Sequence, residues 1–299
     1  MKPFSFPLVF NRGNFFITMV DASKFYTNSE IDIDFFFVLW YGKCVKISQF
    51  QKGICRNMER KLKVTIWHEY RHEKLSEEVR AIYPDGIHAC IGAYLGDAGY
   101  EVTLAALDDP DQGLPEEVLN NTDVLLWWGH MSHQDVDDAL VDRIVDRVYN
   151  YGMGFIALHS AHFSKPFKRL VGTSGNLLWG DEQKEIVWNM LPSHPIAKGL
   201  PEHFVLPYEE MYGEPFMIPQ PDATVFTSWF EHGNVFRSGC CFLRGLGKIF
   251  YFQPGHETCR SYYDENVKKI LINAVLWAAP AEEYACRYPS ECPHFPKLV

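Results

Sequence analysis

The stretch "DVLLWWGHMSHQDVDDALVDRIVDRVYNYGMGFIAL", residues 123–158, decides the fold. It opens on "DVLLWW" (123–128), a nearly continuous apolar run, and closes on "GFIAL" (154–158), apolar throughout. Between them Val136, Leu140, Ile144, Val145 and Val148 fall on one face at helical spacing, and Gly152 offers a stop. A strand without a polar side is buried on both faces. Two such strands joined by an amphipathic helix run parallel, through a right-handed crossover.

The alternation continues outward. "LKVTIW" (62–67) reads as a first buried strand. A helix follows over 84–100, started by Pro84 and Asp85 and stopped by Gly99. "YEVTLAAL" (100–107) is the next strand. Beyond 172 the pattern is less regular, with "ATVFTSWF" (223–230) and "GKIFYF" (247–252) as further strands. "NVKKILINAVLWA" (266–278) closes the domain as a helix. The expected fold is α/β: an open, doubly wound, mostly parallel sheet with helices on both faces.

The chain has 299 residues, 47% hydrophobic and 22% charged, as for an ordinary globular protein. Its net charge of −10 offers no basic face, so nucleic acid is not an expected partner. The apolar runs are too short to cross a bilayer, so no membrane partner is expected either. Eight scattered cysteines without a CxxC pair read as free thiols in a reducing compartment, hence a cytoplasmic location. Cys240 and Cys241 read as neighbouring strand residues on opposite faces. No glycine-rich dinucleotide or phosphate loop occurs, so no nucleotide cofactor is expected.

Ligands of such sheets bind beyond the carboxyl ends of the strands. Seven of the 12 histidines follow the ends of four expected strands: His68 and His72, His130 and His133, His159 and His162, and His256. Each alone reads as a structural histidine; together they mark one edge as a site. Imidazoles bind metals, carry protons or hydrogen-bond polar ligands. "YEEMYGE" (208–214) is either a solvated acidic turn or a loop bringing Glu209 or Glu210 to them. Imidazoles with a carboxylate suit a divalent metal, zinc first. "HEYRH" (68–72) spells HExxH, but it starts at a strand end rather than within a helix, which argues against a zinc protease. Trp127 and Trp128 suit either a sugar-stacking wall or the core, and the core is the stronger reading.

The pieces "WHEYRHEK", "YPDGIH", "WWGHMSH", "GFIALHSAHFSKPF", "EEMYGE", "FRSGC" and "GKIFYFQPGHET" occur in order over 67–258. In combination they resemble the ThuA-like family, named for trehalose utilisation. The resemblance implies a flavodoxin-like, three-layer fold of the class I glutamine amidotransferase type. His159 then stands where those enzymes place a nucleophilic cysteine, and His162 at their next histidine. His256 and Glu257 stand at their catalytic His-Pro-Glu. An imidazole cannot perform thiolate acyl transfer, so glutaminase activity is not expected. The expected roles are His159, His256 and Glu257 as catalytic; Glu69, His72, His133 and Tyr212 against substrate; and His130, His162 and Glu210 on a metal.

The resemblance implies an enzyme of carbohydrate utilisation acting on trehalose, a related disaccharide or a keto-sugar. A non-catalytic sugar-binding or regulatory module and a metal-dependent hydrolase of another small substrate remain as alternatives. A homo-oligomer and a partner dehydrogenase are both compatible with this reading.

Residues 58–280 are the expected domain and 281–299 a tail. Residues 1–57 fall outside the resemblance, as a spurious or disordered extension or as an added strand pair. Deleting 1–57 and recording thermal unfolding separates the two. An unchanged midpoint marks an extension, and a large loss a strand pair built into the fold.

Overall fold

A computed structural model describes residues 60–281, together with the backbone of two short strands before them. The chain divides after Arg60. In the first unit β1 (Phe37–Trp40) pairs antiparallel with β2 (Lys43–Lys46). The rest of the expected extension, and the tail beyond 281, lie outside the described residues.

The second unit is built on one nine-stranded sheet, in the order β4-β3-β5-β6-β11-β10-β9-β7-β8. Its parallel half comprises β3 (Lys63–His68), β4 (Glu101–Ala106), β5 (Val124–Trp128), β6 (Gly154–Leu158) and β11 (Gly247–Phe252). An antiparallel arm extends it through β10 (Val235–Arg244), β9 (Ala223–Phe230), β7 (Leu178–Asn189) and β8 (His203–Gly213). The doubly wound parallel core is as expected; the arm makes the sheet mixed.

Side-chain alternation divides the parallel strands between two cores. Val64, Ile66, Val124, Leu126, Ile156 and Phe250 enter one of them. There they meet helices α3 (Ile87–Asp97) and α7 (Glu265–Ala278). Trp67, Leu125, Trp127, Phe155 and Tyr251 enter the other, against α5 (Asp138–Tyr151) and α6 (Lys165–Val171). Short helices α1 (His72–Leu75), α2 (Glu77–Ile82) and α4 (Glu116–Asn120) complete the layers. Cys240 and Cys241 go to opposite cores and are both free thiols, as are Cys90 and Cys259.

Trp127 stacks on Trp67 with ring centroids 3.7 Å apart, and Trp128 donates to the Gly255 carbonyl at 3.0 Å. Both tryptophans are buried and serve the core. Helix α5 buries Leu140, Val141, Ile144 and Val148, whereas Val145 is only half-buried. Gly152 ends the helix in the left-handed conformation that favours glycine. Gly154 lets β6 pass close to α7, since a Cβ there would stand 2.6 Å from the Ala278 carbonyl oxygen. Ile144 is fully buried between α5 and the sheet. Ile144→Ala is expected to lower unfolding stability by about 2–5 kcal/mol in denaturant titration.

Candidate functional site

Strands β3, β5, β6 and β11 run parallel, so they end at the same edge. β6 ends at Leu158, and the next residue, His159, adopts φ 50° and opens a short turn over His159–Phe163. A left-handed conformation is unusual for a non-glycine residue and marks a position held by its surroundings. His159 Nδ1 donates to the Gln253 carbonyl at the end of β11 (2.8 Å), while Tyr212 of β8 stacks on the ring at 5.1 Å between centroids. Nε2 lies 3.0 Å from Glu210 Oε2.

Glu210 and Tyr212 lie on strand β8, not on a loop or solvated turn. The preceding residue, Glu209, is buried and accepts the backbone N–H groups of Gly255 (2.8 Å) and His256 (3.0 Å) and the Ser261 hydroxyl. It thereby fixes the turn that presents His256. Gly255 is required there: it has φ 132°, and a Cβ would strike the Tyr262 hydroxyl.

Glu257 lies between imidazoles. Its carboxylate is 3.1 Å from His72 Nε2, 3.0 Å from His130 Nδ1 and 3.4 Å from His256 Nε2. The His72 and His130 rings stack at 5.0 Å, and His130 stands edge-on to His159 and His256 at 6.1 and 5.4 Å. Four of the histidines expected at this edge therefore converge, with Glu210 and Glu257 among them.

Three other residues take different places. Glu69, expected against substrate, is buried and accepts the N–H groups of His130, Met131 and Ser132 at 2.7–3.1 Å. Its carboxylate is spent on shaping the loop after β5. His162, expected on a metal with His130 and Glu210, gives Nδ1 to the Gly175 carbonyl at 2.7 Å. The described residues instead gather ligand atoms in two other triads, His72–His130–Glu257 and His159–Glu210–His256. His162 and His133 line an adjoining pocket of about 360 Å³, together with His130, Glu210, Tyr212 and Trp179. His68 turns inward to His88 Nδ1 at 3.2 Å and serves the core. Its neighbour Tyr70 has φ 51° before α1 begins at His72, so "HEYRH" forms no continuous helix.

Trp179 was not marked by the sequence. It is 68% exposed at the pocket wall, on a strand whose polar run "GDEQKE" hides any period. Gln253 and Thr258 carry no sequence signal either, since their roles depend on partners distant in the chain.

Charge is finely partitioned across this edge. Burial pulls the His159 pKa down, but the carboxylate of Glu210 beside it outweighs that, so the imidazole lies above its ordinary value. Burial pushes Glu210 up, and His159 more than reverses that. Burial likewise opposes ionised Glu257, yet His130, His256 and His72 bring it down to about 2. Burial lowers His256 to about 4 and His133 to about 4.

The family model for ThuA, described as trehalose utilisation, matches residues 63–278. The chain belongs to the ThuA family. A ThuA-like protein from Parabacteroides merdae superposes with a TM-score of 0.57 at 14% identity, over 77% of this chain and 93% of that one. A ThuA-like protein from Bacteroides uniformis gives 0.50 at 17% identity, over 72% and 90%. A cytoplasmic protein from Salmonella typhimurium gives 0.51 at 12%, over 74% and 100%. At these identities the likeness concerns the fold alone. No curated protein matches the sequence. No helix among the described residues is long and apolar enough to cross a membrane.

Burial, barely offset by the Gly175 carbonyl, lowers His162 to about 3. An unfolded histidine titrates near 6.5. Between those values the unfolded chain binds the extra proton, so stability falls as pH drops from about 6.5 towards 3. Thermal midpoints measured over that range should decline, and His162→Gln should flatten part of the slope.

Proposed function

We propose that this ThuA-family chain is an enzyme of carbohydrate utilisation that moves a proton beside the carbonyl of a keto-sugar derived from trehalose or a related disaccharide. The observation that carries the reading is His130: it lines the pocket while Glu257 holds its Nδ1 at 3.0 Å and itself leans on His72 at 3.1 Å. A carboxylate behind an imidazole fixes its tautomer and stabilises the charged form once it takes a proton.

The chemistry then follows from the walls. With Nδ1–H given to Glu257, Nε2 of His130 carries the lone pair that accepts a proton from carbon. The electron pair left behind moves onto the carbonyl oxygen, and the same imidazole later returns the proton. Tyr212 and Ser160, whose hydroxyls lie 3.5 Å apart, also line the pocket. Trp179 offers a flat apolar face to one side of a sugar ring, while the polar wall of Glu210, His133 and His162 suits its hydroxyls. The cysteine chemistry of the amidotransferase arrangement has no place here, because an imidazole occupies position 159.

A panel of disaccharides, keto-sugars and simple esters, followed by solvent deuterium incorporation, tests the proposal. Turnover with exchange is expected for keto-sugars. His130→Ala should lower kcat by roughly 10²–10⁴-fold, the usual contribution of a positioned proton carrier. Trp179→Ala should raise KM with kcat nearly unchanged. Hydrolysis of esters alone would favour a hydrolase, and sugar binding without turnover a binding module.

A further inference from the structure

We infer that His159, Glu210 and His256 form a three-ligand site for one divalent transition-metal cation, with zinc the best chemical fit. The first support is spacing. One donor atom from each residue lies within 4.8 Å of the other two, and His159 Nε2 and Glu210 Oε2 are 3.0 Å apart. Ligand atoms about 2.0–2.2 Å from a tetrahedral zinc stand roughly 3.3–3.6 Å from one another. The side chains are thus close to the spacing of a coordination shell.

The second support is direction. Glu210 Oε2 is buried and makes no aligned hydrogen bond, although His159 Nε2 is so near. Two polar atoms this close but not aimed at each other can share a third point. The third support is what the remote nitrogens do. His159 Nδ1 donates to the Gln253 carbonyl at 2.8 Å. His256 Nδ1 meets Thr258 Oγ1 at 2.7 Å, and that hydroxyl donates onward to Glu182 at 3.1 Å. Metal-ligating histidines are oriented in this way, with one nitrogen tied to a carbonyl, carboxylate or polar relay and the other left with its lone pair.

The neighbouring triad is built differently. Glu257 is already committed to His72 and His130, through one oxygen each at 3.1 and 3.0 Å. That arrangement suits proton transfer, and the cation belongs with Glu210. Because Glu210 also lines the pocket, a fourth position faces the space where a ligand would sit. Two imidazoles, one carboxylate and an open position are the donor set of catalytic zinc sites. The bound ion would polarise a carbonyl or hydroxyl oxygen. The site does not depend on the identity of the substrate.

The test is equilibrium dialysis of chelator-treated full-length protein against Zn²⁺, read by elemental analysis, with Co²⁺ absorption as a probe of coordination. One zinc per chain is expected, and a visible Co²⁺ spectrum of the four-coordinate type. Glu210→Gln and His256→Ala should each weaken zinc binding at least ten-fold, and His72→Ala should leave it within two-fold. Circular dichroism of each variant separates ligand loss from misfolding. His159→Ala is the less secure variant because of its backbone conformation, so Glu210→Gln carries the weight. A wild-type chain that retains no zinc overturns the inference. So does a chain that loses zinc in His72→Ala and keeps it in Glu210→Gln. Zinc bound without keto-sugar turnover upholds the site and removes the proposed reaction. Full turnover by a chain that binds no zinc does the reverse.

Discussion

How strand β6 ends governs this edge of the molecule. It is buried on both faces and flanked by β5 and β11, so it cannot fray or bend gradually. It must stop abruptly, and it does so by placing His159 in a left-handed conformation beneath Tyr212 and beside Gln253. A backbone held in that region costs of order 1–3 kcal/mol. Stacking, the Gln253 carbonyl and Glu210 surround the residue and offset that cost. The imidazole is consequently fixed before any ligand arrives.

Around that fixed ring the site divides into two chemistries. On one side, the Glu257 carboxylate is held between His72 and His130. On the other, donor atoms of His159, Glu210 and His256 gather within 4.8 Å of one another. The separation rests on which oxygen of which glutamate is already occupied, and neither Glu210 nor Glu257 alone would impose it. The pocket joins the two, with His130 and Glu210 on its wall.

The sequence revealed the parallel half of the sheet and the histidine edge because both follow from short-range pattern. Apolar runs such as "GFIAL" and "GKIFYF" are buried on both faces, and the residues following them are forced to one side. The antiparallel arm was harder to read. β7 and β8 form the far end of the sheet and alternate irregularly between wet and buried positions, so "YEEMYGE" resembled a turn. The roles of Glu69 and Glu209 were hidden for another reason. Each caps backbone N–H groups about 50 to 60 residues away, and no local spacing encodes such a contact. Trp179 stood out only once its neighbours showed that its face is open.

The arm carries a further consequence through the adjacent pair Glu209 and Glu210. Successive residues of a strand face opposite ways, so one carboxylate clasps the turn before His256 while the next meets His159. Irregularities in the pairing of β7 with β8, between Gly180 and Glu182 and again between Gln183 and Glu185, set the phase of this strand. A slip by a single step would turn each acid to the opposite face and part the clasp from the turn before His256. Inserting or deleting one residue upstream in β8 would therefore rewrite this edge although both acids remain in the chain.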